Sequence, residues 1–95
     1  MPQDTRYNTI HELIVKGYIS SLTEIFEKEL ISRSRVARDL GLNPARFSRI
    51  LLKPERFVLK DLYKLAGLLN IDRLKILELA NNDFEAIQKK IKRKR

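Results

Sequence analysis

The chain has 95 residues, enough for one domain with one modest core, and 43% of them are hydrophobic, which is ordinary for a folded protein. It has no cysteine and a single histidine, His11, which excludes disulfides and cysteine nucleophiles and leaves almost nothing to hold a metal. Twenty Lys and Arg against twelve Asp and Glu give a net charge of +8, typical of a small domain that binds a polyanion, most often nucleic acid.

Membrane insertion and secretion are not indicated. No run of residues approaches the roughly 18 apolar positions that a membrane span requires. The start of the chain, MPQDTRYNT, lacks the basic-then-apolar profile of a secretory signal. The sequence therefore predicts a cytoplasmic protein.

Glycine and proline are scarce, with three of each, and this favours an all-α fold. A first short helix is predicted to begin at Thr9, where Thr9 and Glu12 form a capping box, and to stop at Gly17. A second helix is predicted to begin near Ser21 and to bury Leu22, Ile25, Phe26 and Leu30.

The third predicted helix is capped by Ser32 and runs to Leu40. It ends there because Gly41 adopts a left-handed conformation without strain. Arg35 and Arg38 on this helix are predicted to be solvated.

The fourth predicted helix begins at Asn43 and Pro44. An Asn side chain accepts hydrogen bonds from free amides at a helix start, and proline is tolerated in the first turn. The helix should end by Lys53, since Pro54 disfavours helical geometry in the residue before it.

Three more helical segments follow. One is predicted over about Val58 to Asn70. The next covers residues 72–80, with Leu74 and Leu77 facing inward. From Asp83 the chain is predicted to continue as an amphipathic helix, which fades into the tail KKIKRKR. The simplest interpretation of the tail is a disordered basic end, and the alternative is an arm that reaches the minor groove.

Two short helices that meet at a steep angle need a small residue where they cross and a permissive residue at the turn. Ala37 and Gly41 fill these two positions. Apolar residues then face each other at Val36, Leu40, Leu42, Phe47 and Ile50. The same stretch is strongly basic, with a single acid, Asp39, among Arg33, Arg35, Arg38, Arg46, Arg49 and Lys53.

These two helices resemble the helix-turn-helix of the lambda-repressor-like, Cro/C1-type (XRE family) transcriptional regulators. The resemblance is carried by ISRSRVARDLGLNPARFSRIL and continues through LKDLYKLAGLLNI and DRLKILEL. It implies a compact five-helix DNA-binding domain over residues 20–80, with the motif at 33–53. Residues 1–19 would form an extension with a short extra helix, and residues 81–95 a basic helical tail.

The resemblance also implies a function. A protein of this family binds double-stranded DNA as a homodimer on a palindromic operator and regulates transcription, most often as a repressor. Carried over position by position, the family's base-reading residues are Ala45, Ser48 and Arg49. Arginine pairs with guanine, serine bonds either base type, and alanine touches a thymine methyl.

Contacts to the DNA backbone are implied for a second, mostly basic set, whose role is to fix register without reading sequence. Its members are Arg33, Asn43, Arg46, Lys53 and Arg56.

The sequence departs from the family pattern in two places. Pro44 replaces a polar reading residue, and Leu51, Leu52 and Lys53 replace an acidic, Asn, Gly run. The two leucines are expected to pack under the extra N-terminal helix.

Two other binding roles stay open at this point. The chain could be an antitoxin or anti-regulator whose main partner is a toxin or another protein, with DNA binding secondary. RNA binding is permitted by the charge but is not favoured by a major-groove helix. No catalytic constellation or cofactor motif is found, so no enzymatic activity is expected.

Overall fold

We describe residues 5–93 of a computed structural model, with side chains through residue 90. Helices joined by short turns make up this range, and it contains no strand, which confirms the all-α class. The helices are α1 (Arg6–Val15), α2 (Leu22–Glu27), α3 (Arg33–Leu40), α4 (Pro44–Leu52), α5 (Leu59–Leu69) and α6 (Arg73–Arg93), with a 3-10 turn, Pro54–Arg56, between α4 and α5. Within residues 5–93, no helix is both long and apolar enough to cross a membrane.

Helix α1 begins about one turn earlier than predicted. Thr9 lies inside the helix, so the predicted capping box of Thr9 and Glu12 is wrong. The earlier start buries Tyr7, whose hydroxyl donates to Asp39 of α3 at 2.6 Å. Gly17, at a φ of +82°, follows the helix end as predicted.

The next three helix starts follow their predicted caps. The hydroxyl of Ser21 accepts from the amide of Glu24, and that of Ser32 accepts from the amide of Arg35 at 3.1 Å. Asn43 caps α4, with Pro44 in its first turn. These local signals are enough to place α2, α3 and α4, because a side-chain cap satisfies amides that the helix leaves free.

Phe47 stands at the centre of the core and is fully buried. Its ring packs edge-to-face against Phe26, at 5.8 Å between centroids, and against Phe57, at 6.3 Å. Such aromatic pairs contribute about 0.5–1.5 kcal/mol beyond the area that they bury. The three rings join α2, α4 and the segment after α4.

Helix α6 runs unbroken for 21 residues from Arg73 to Arg93. The segments predicted at residues 72–80 and from Asp83 onward are thus one helix, and the tail is helical to Arg93, while residues 94–95 lie outside the described part. Leu74 is 75% exposed, so its predicted inward orientation is wrong. The residues that α6 buries are instead Ile76, Leu79, Ala80 and Asp83.

Tertiary contacts stabilise α6 at Asn82 and Asp83. Asn82 donates to the carbonyl oxygen of Ser20 at 2.6 Å. The buried carboxylate of Asp83 accepts from the amides of Leu22 at 2.9 Å and Thr23 at 3.3 Å. These bonds satisfy free amides at the start of α2 and clamp α6 onto it.

Candidate nucleic-acid interface

The turn between α3 and α4 is built around Gly41, whose φ is +77°. A Cβ added at Gly41 would meet nothing within 4 Å, so the backbone conformation, and not a lack of space, favours glycine. The amide of Leu42 closes the turn by donating to the carbonyl oxygen of Ala37 at 2.8 Å. Ala37 itself is fully buried. The two helices and the turn thus occupy the residues predicted for the motif.

Helix α4 has a buried face and an exposed face. Phe47, Ile50 and Leu51 are buried, and this fixes the rotation of the helix about its axis. Residues on the other side, including Ala45 and Arg49, are exposed. The 3.6-residue period of the helix separates the two sets.

One flank of the exposed face is a basic depression of about 520 Å³, lined by Arg46, Arg49, Ile50, Leu52, Lys53 and Arg56. Arg46, Arg49 and Lys53 follow the i, i+3, i+7 spacing that places side chains on one side of a helix. Arg56 reaches the same depression from the 3-10 turn. Four of the predicted DNA-contacting residues are therefore brought together.

The cations of the basic depression find no counter-ion in the described part of the chain. Among the residues that the structure describes, no carboxylate lies within 4.0 Å of Arg46, Arg49, Lys53 or Arg56. Glu55 lies in a different depression, against α6. Four positive charges that share one surface repel each other, and a polyanion relieves that repulsion.

The arginines of α3 give a contrast. Arg35 forms an ion pair with Asp39, at 3.3 Å between Nε and Oδ2, and the same carboxylate accepts from Tyr7. Arg35 thus belongs to a contact between α1 and α3. Arg38 is exposed, as predicted.

The other flank of α4 borders a second concavity of about 410 Å³, which we call the α6 groove. It lies between α2, α4 and α6, and its lining includes Phe26, Arg33, Ser48, Leu51, Ile87 and Lys90. Ser48 is half-buried there. The guanidinium of Arg33 lies over the ring of Phe26, 5.9 Å from its centroid, which holds this side chain beside α4.

The α6 groove corrects the expectation for the two leucines. Leu51 is buried but faces this groove, and Leu52 is 71% exposed between the groove and the basic depression. Neither lines a contact with α1. The long helix α6 covers the position that the sequence assigned to the N-terminal helix.

Asn43 and Ala45 lie at the exposed start of α4. The side-chain oxygen of Asn43 accepts from the amides of Ala45 at 2.9 Å and Arg46 at 3.2 Å. That oxygen serves as a helix cap. A contact from Asn43 to DNA would therefore use the side-chain amide nitrogen, which donates.

No family model, curated protein or solved structure matches this chain. The resemblance to XRE-family regulators rests on the motif residues. The division into base-reading and backbone-contacting residues stays a prediction.

The chemistry available at the exposed side of α4 is that of hydrogen-bond donors. Guanidinium and ammonium groups donate and do not accept, so they bind phosphate oxygens and the acceptor edge of guanine. Within residues 5–93 no cluster of His, Asp and Glu is arranged to hold a metal ion. His11 instead lies with Nδ1 at 3.0 Å from the carbonyl oxygen of Leu69.

For one residue of this surface, Lys90, the sequence interpretation gave only a place in the basic tail. Lys90 lines the α6 groove next to α4, although it is 42 positions after Ser48 in the chain. Its signal was the spacing of Asp83, Ile87 and Lys90 along one side of a helix. The spacing places Lys90 beside α4 only because α6 is one continuous helix.

Proposed function

We propose that this chain binds double-stranded DNA in a sequence-specific way, with the exposed side of α4 in the major groove. It acts in the cytoplasm as a homodimeric transcriptional regulator, most simply a repressor, in the manner of the XRE-family proteins that its motif resembles. The observation that carries the proposal is the basic depression, where four cations that contact no carboxylate of the described residues share one surface. Its role is binding and not catalysis.

The size of α4 fits this role. An α-helix with its side chains is about 10–12 Å in diameter, and the major groove is about 12 Å wide, so α4 can lie in it. Arg49 lies at the middle of the exposed side and is the principal base-reading residue, with Ala45 and Ser48 beside it. Arg46, Lys53 and Arg56 hold the phosphates of one backbone, and Arg33 and Asn43 bind phosphates near the helix starts.

The homodimer is part of the same proposal. Leu74 is 75% exposed on α6, and a leucine left exposed on a long helix supports a contact between copies. A dimer repeats α4 about a two-fold axis, which requires a palindromic site. Sedimentation of the chain with an operator-length duplex checks the stoichiometry, and a monomer in the complex contradicts this part.

Selection of bound duplexes from a random pool tests the function. The full chain is compared with two variants of equal charge: Arg46→Gln/Arg49→Gln on α4, and Arg35→Gln/Arg38→Gln on α3. We expect the chain and the α3 variant to enrich one palindromic sequence, and the α4 variant to enrich none. Failure of the unmodified chain to enrich any duplex contradicts the proposal and favours a protein partner.

A further inference from the structure

One side of α6 is buried at the start of the helix and becomes exposed and basic toward residue 90. Ile76, Leu79, Asp83, Ile87 and Lys90 are spaced by three or four residues and therefore share one side of the helix. The first three are buried against the body of the protein, and Ile87 is half-buried. Lys90, which comes next on this side, is exposed and basic. The side that packs against the domain therefore continues as a charged surface.

The position of Lys90 is set by the clamp between α6 and α2. The bonds from Asp83 to the amides of Leu22 and Thr23, and from Asn82 to Ser20, fix how α6 is rotated about its axis. Lys90 follows Asp83 by seven residues, or about 10 Å along the helix. A buried carboxylate with these partners does not rotate freely, so Lys90 keeps its direction.

Lys90 lies on the flank of α4 opposite the basic depression. Lys90 lines the α6 groove together with Arg33, Ser48 and Leu52. A helix in the major groove has a phosphate backbone on each side of it. The basic depression serves one of these backbones, and the flank that carries Arg33 and Lys90 faces the other.

We infer that α6 is a second DNA-binding element, in which Lys90 contacts a phosphate of the backbone that borders the Arg33 flank of α4. The inference rests on the proposed function and extends it to a residue outside the motif. Lys89, also exposed, adds charge at the same end of α6. The long helix thus lets one domain hold both backbones of the groove that α4 enters.

The test compares Lys90→Gln with Lys75→Gln in the full chain. Lys75 is on the same helix, 15 residues or about 22 Å away, and pairs with Glu78 at 3.5 Å, so both variants lose one charge from α6. Affinity for the selected duplex is measured as a function of salt concentration. We expect the magnitude of the slope of log K against log salt to fall in Lys90→Gln by about 0.9 for each bound copy of the chain, or about 1.8 for the homodimer, and to stay unchanged in Lys75→Gln.

Ethylation interference on the same duplex locates the contact. We expect Lys90→Gln to lose one interfering phosphate, on the backbone opposite to the one affected by Arg56→Ala. Equal slopes for Lys90→Gln and Lys75→Gln, with an unchanged interference pattern, overturn the inference while the selected site still supports the proposed function. If the unmodified chain selects no duplex, the proposed function fails, and this inference fails with it.

Discussion

The buried face of α4 stabilises the fold, whereas its exposed face is the one proposed to bind DNA. On the inner face Phe47 is fully buried and contacts two other rings, so its energy comes from packing. On the outer face Arg46 and Arg49 contact no carboxylate in the described part of the chain. They add repulsion to the folded state and no ion pair.

Among the described residues, a cluster of cations without a counter-ion, and not charge alone, locates the candidate site. Arg35 is as basic as Arg49, but its charge is offset by Asp39. An exposed ion pair of this kind contributes only about 0–1 kcal/mol. Arg38 also contacts no carboxylate in the described part of the chain, but it does not line the basic depression, so the cluster, and not one unpaired cation, favours a polyanion.

The largest expected effect is on the inner face. Phe47→Ala should lower the free energy of unfolding by about 3–5 kcal/mol, because it removes a buried ring and leaves a cavity. Chemical denaturation followed by circular dichroism measures this loss. A loss below about 1 kcal/mol would show that Phe47 is not at the centre of the core.

The next effect is on the outer face and concerns binding. Arg49→Ala should weaken binding to the selected duplex by about 1–3 kcal/mol and flatten the preference at one base pair, since a bidentate contact to guanine is lost. Its stability should change by no more than about 0.5 kcal/mol. Arg38→Ala, an exposed arginine of α3, is the matched control and should keep full affinity. An unchanged base preference in Arg49→Ala would show that another residue reads that base pair.

The smallest effect separates backbone contacts from base contacts on the same face. Arg56→Ala should weaken binding to all duplexes alike and reduce the salt slope by about one unit, because a phosphate contact carries no sequence information. Fluorescence anisotropy on the selected duplex and a scrambled one measures both affinities. Discrimination between the two duplexes that changes in Arg56→Ala would assign it a role in base reading.

Much of the fold could be predicted because its signals are local. Ser21, Ser32 and Asn43 each bond an amide within three residues, and the conformation of Gly41 depends on its own backbone. Such features are present in any short window of sequence. The three helix starts and the turn were therefore predicted correctly.

Features that depend on distant contacts were not predicted. Asn81, Asn82 and Asp83, where the predicted segment 72–80 meets the one from Asp83, have low helix propensity. The helix continues because two of them bond residues about 60 positions earlier. The position of Lys90 beside α4 could not be predicted for the same reason, because it depends on the bonds that clamp α6 onto α2.

The candidate site was predicted in part. The spacing of Arg46, Arg49 and Lys53 places them together on any helix. Arg56 joins them only through the 3-10 turn, and the half-burial of Ser48 is caused by α6. Which residues share a surface followed from the motif, whereas how much of each is accessible required the fold.

The central claim is that the exposed side of α4 is the surface that contacts DNA. The most direct measurement is a titration of the isotope-labelled chain with the selected duplex, followed by amide chemical shifts in NMR spectra. The account predicts that the largest shifts occur at Ala45, Arg46, Arg49 and Lys53. Shifts concentrated on α1 and α5, with α4 unaffected, would contradict it.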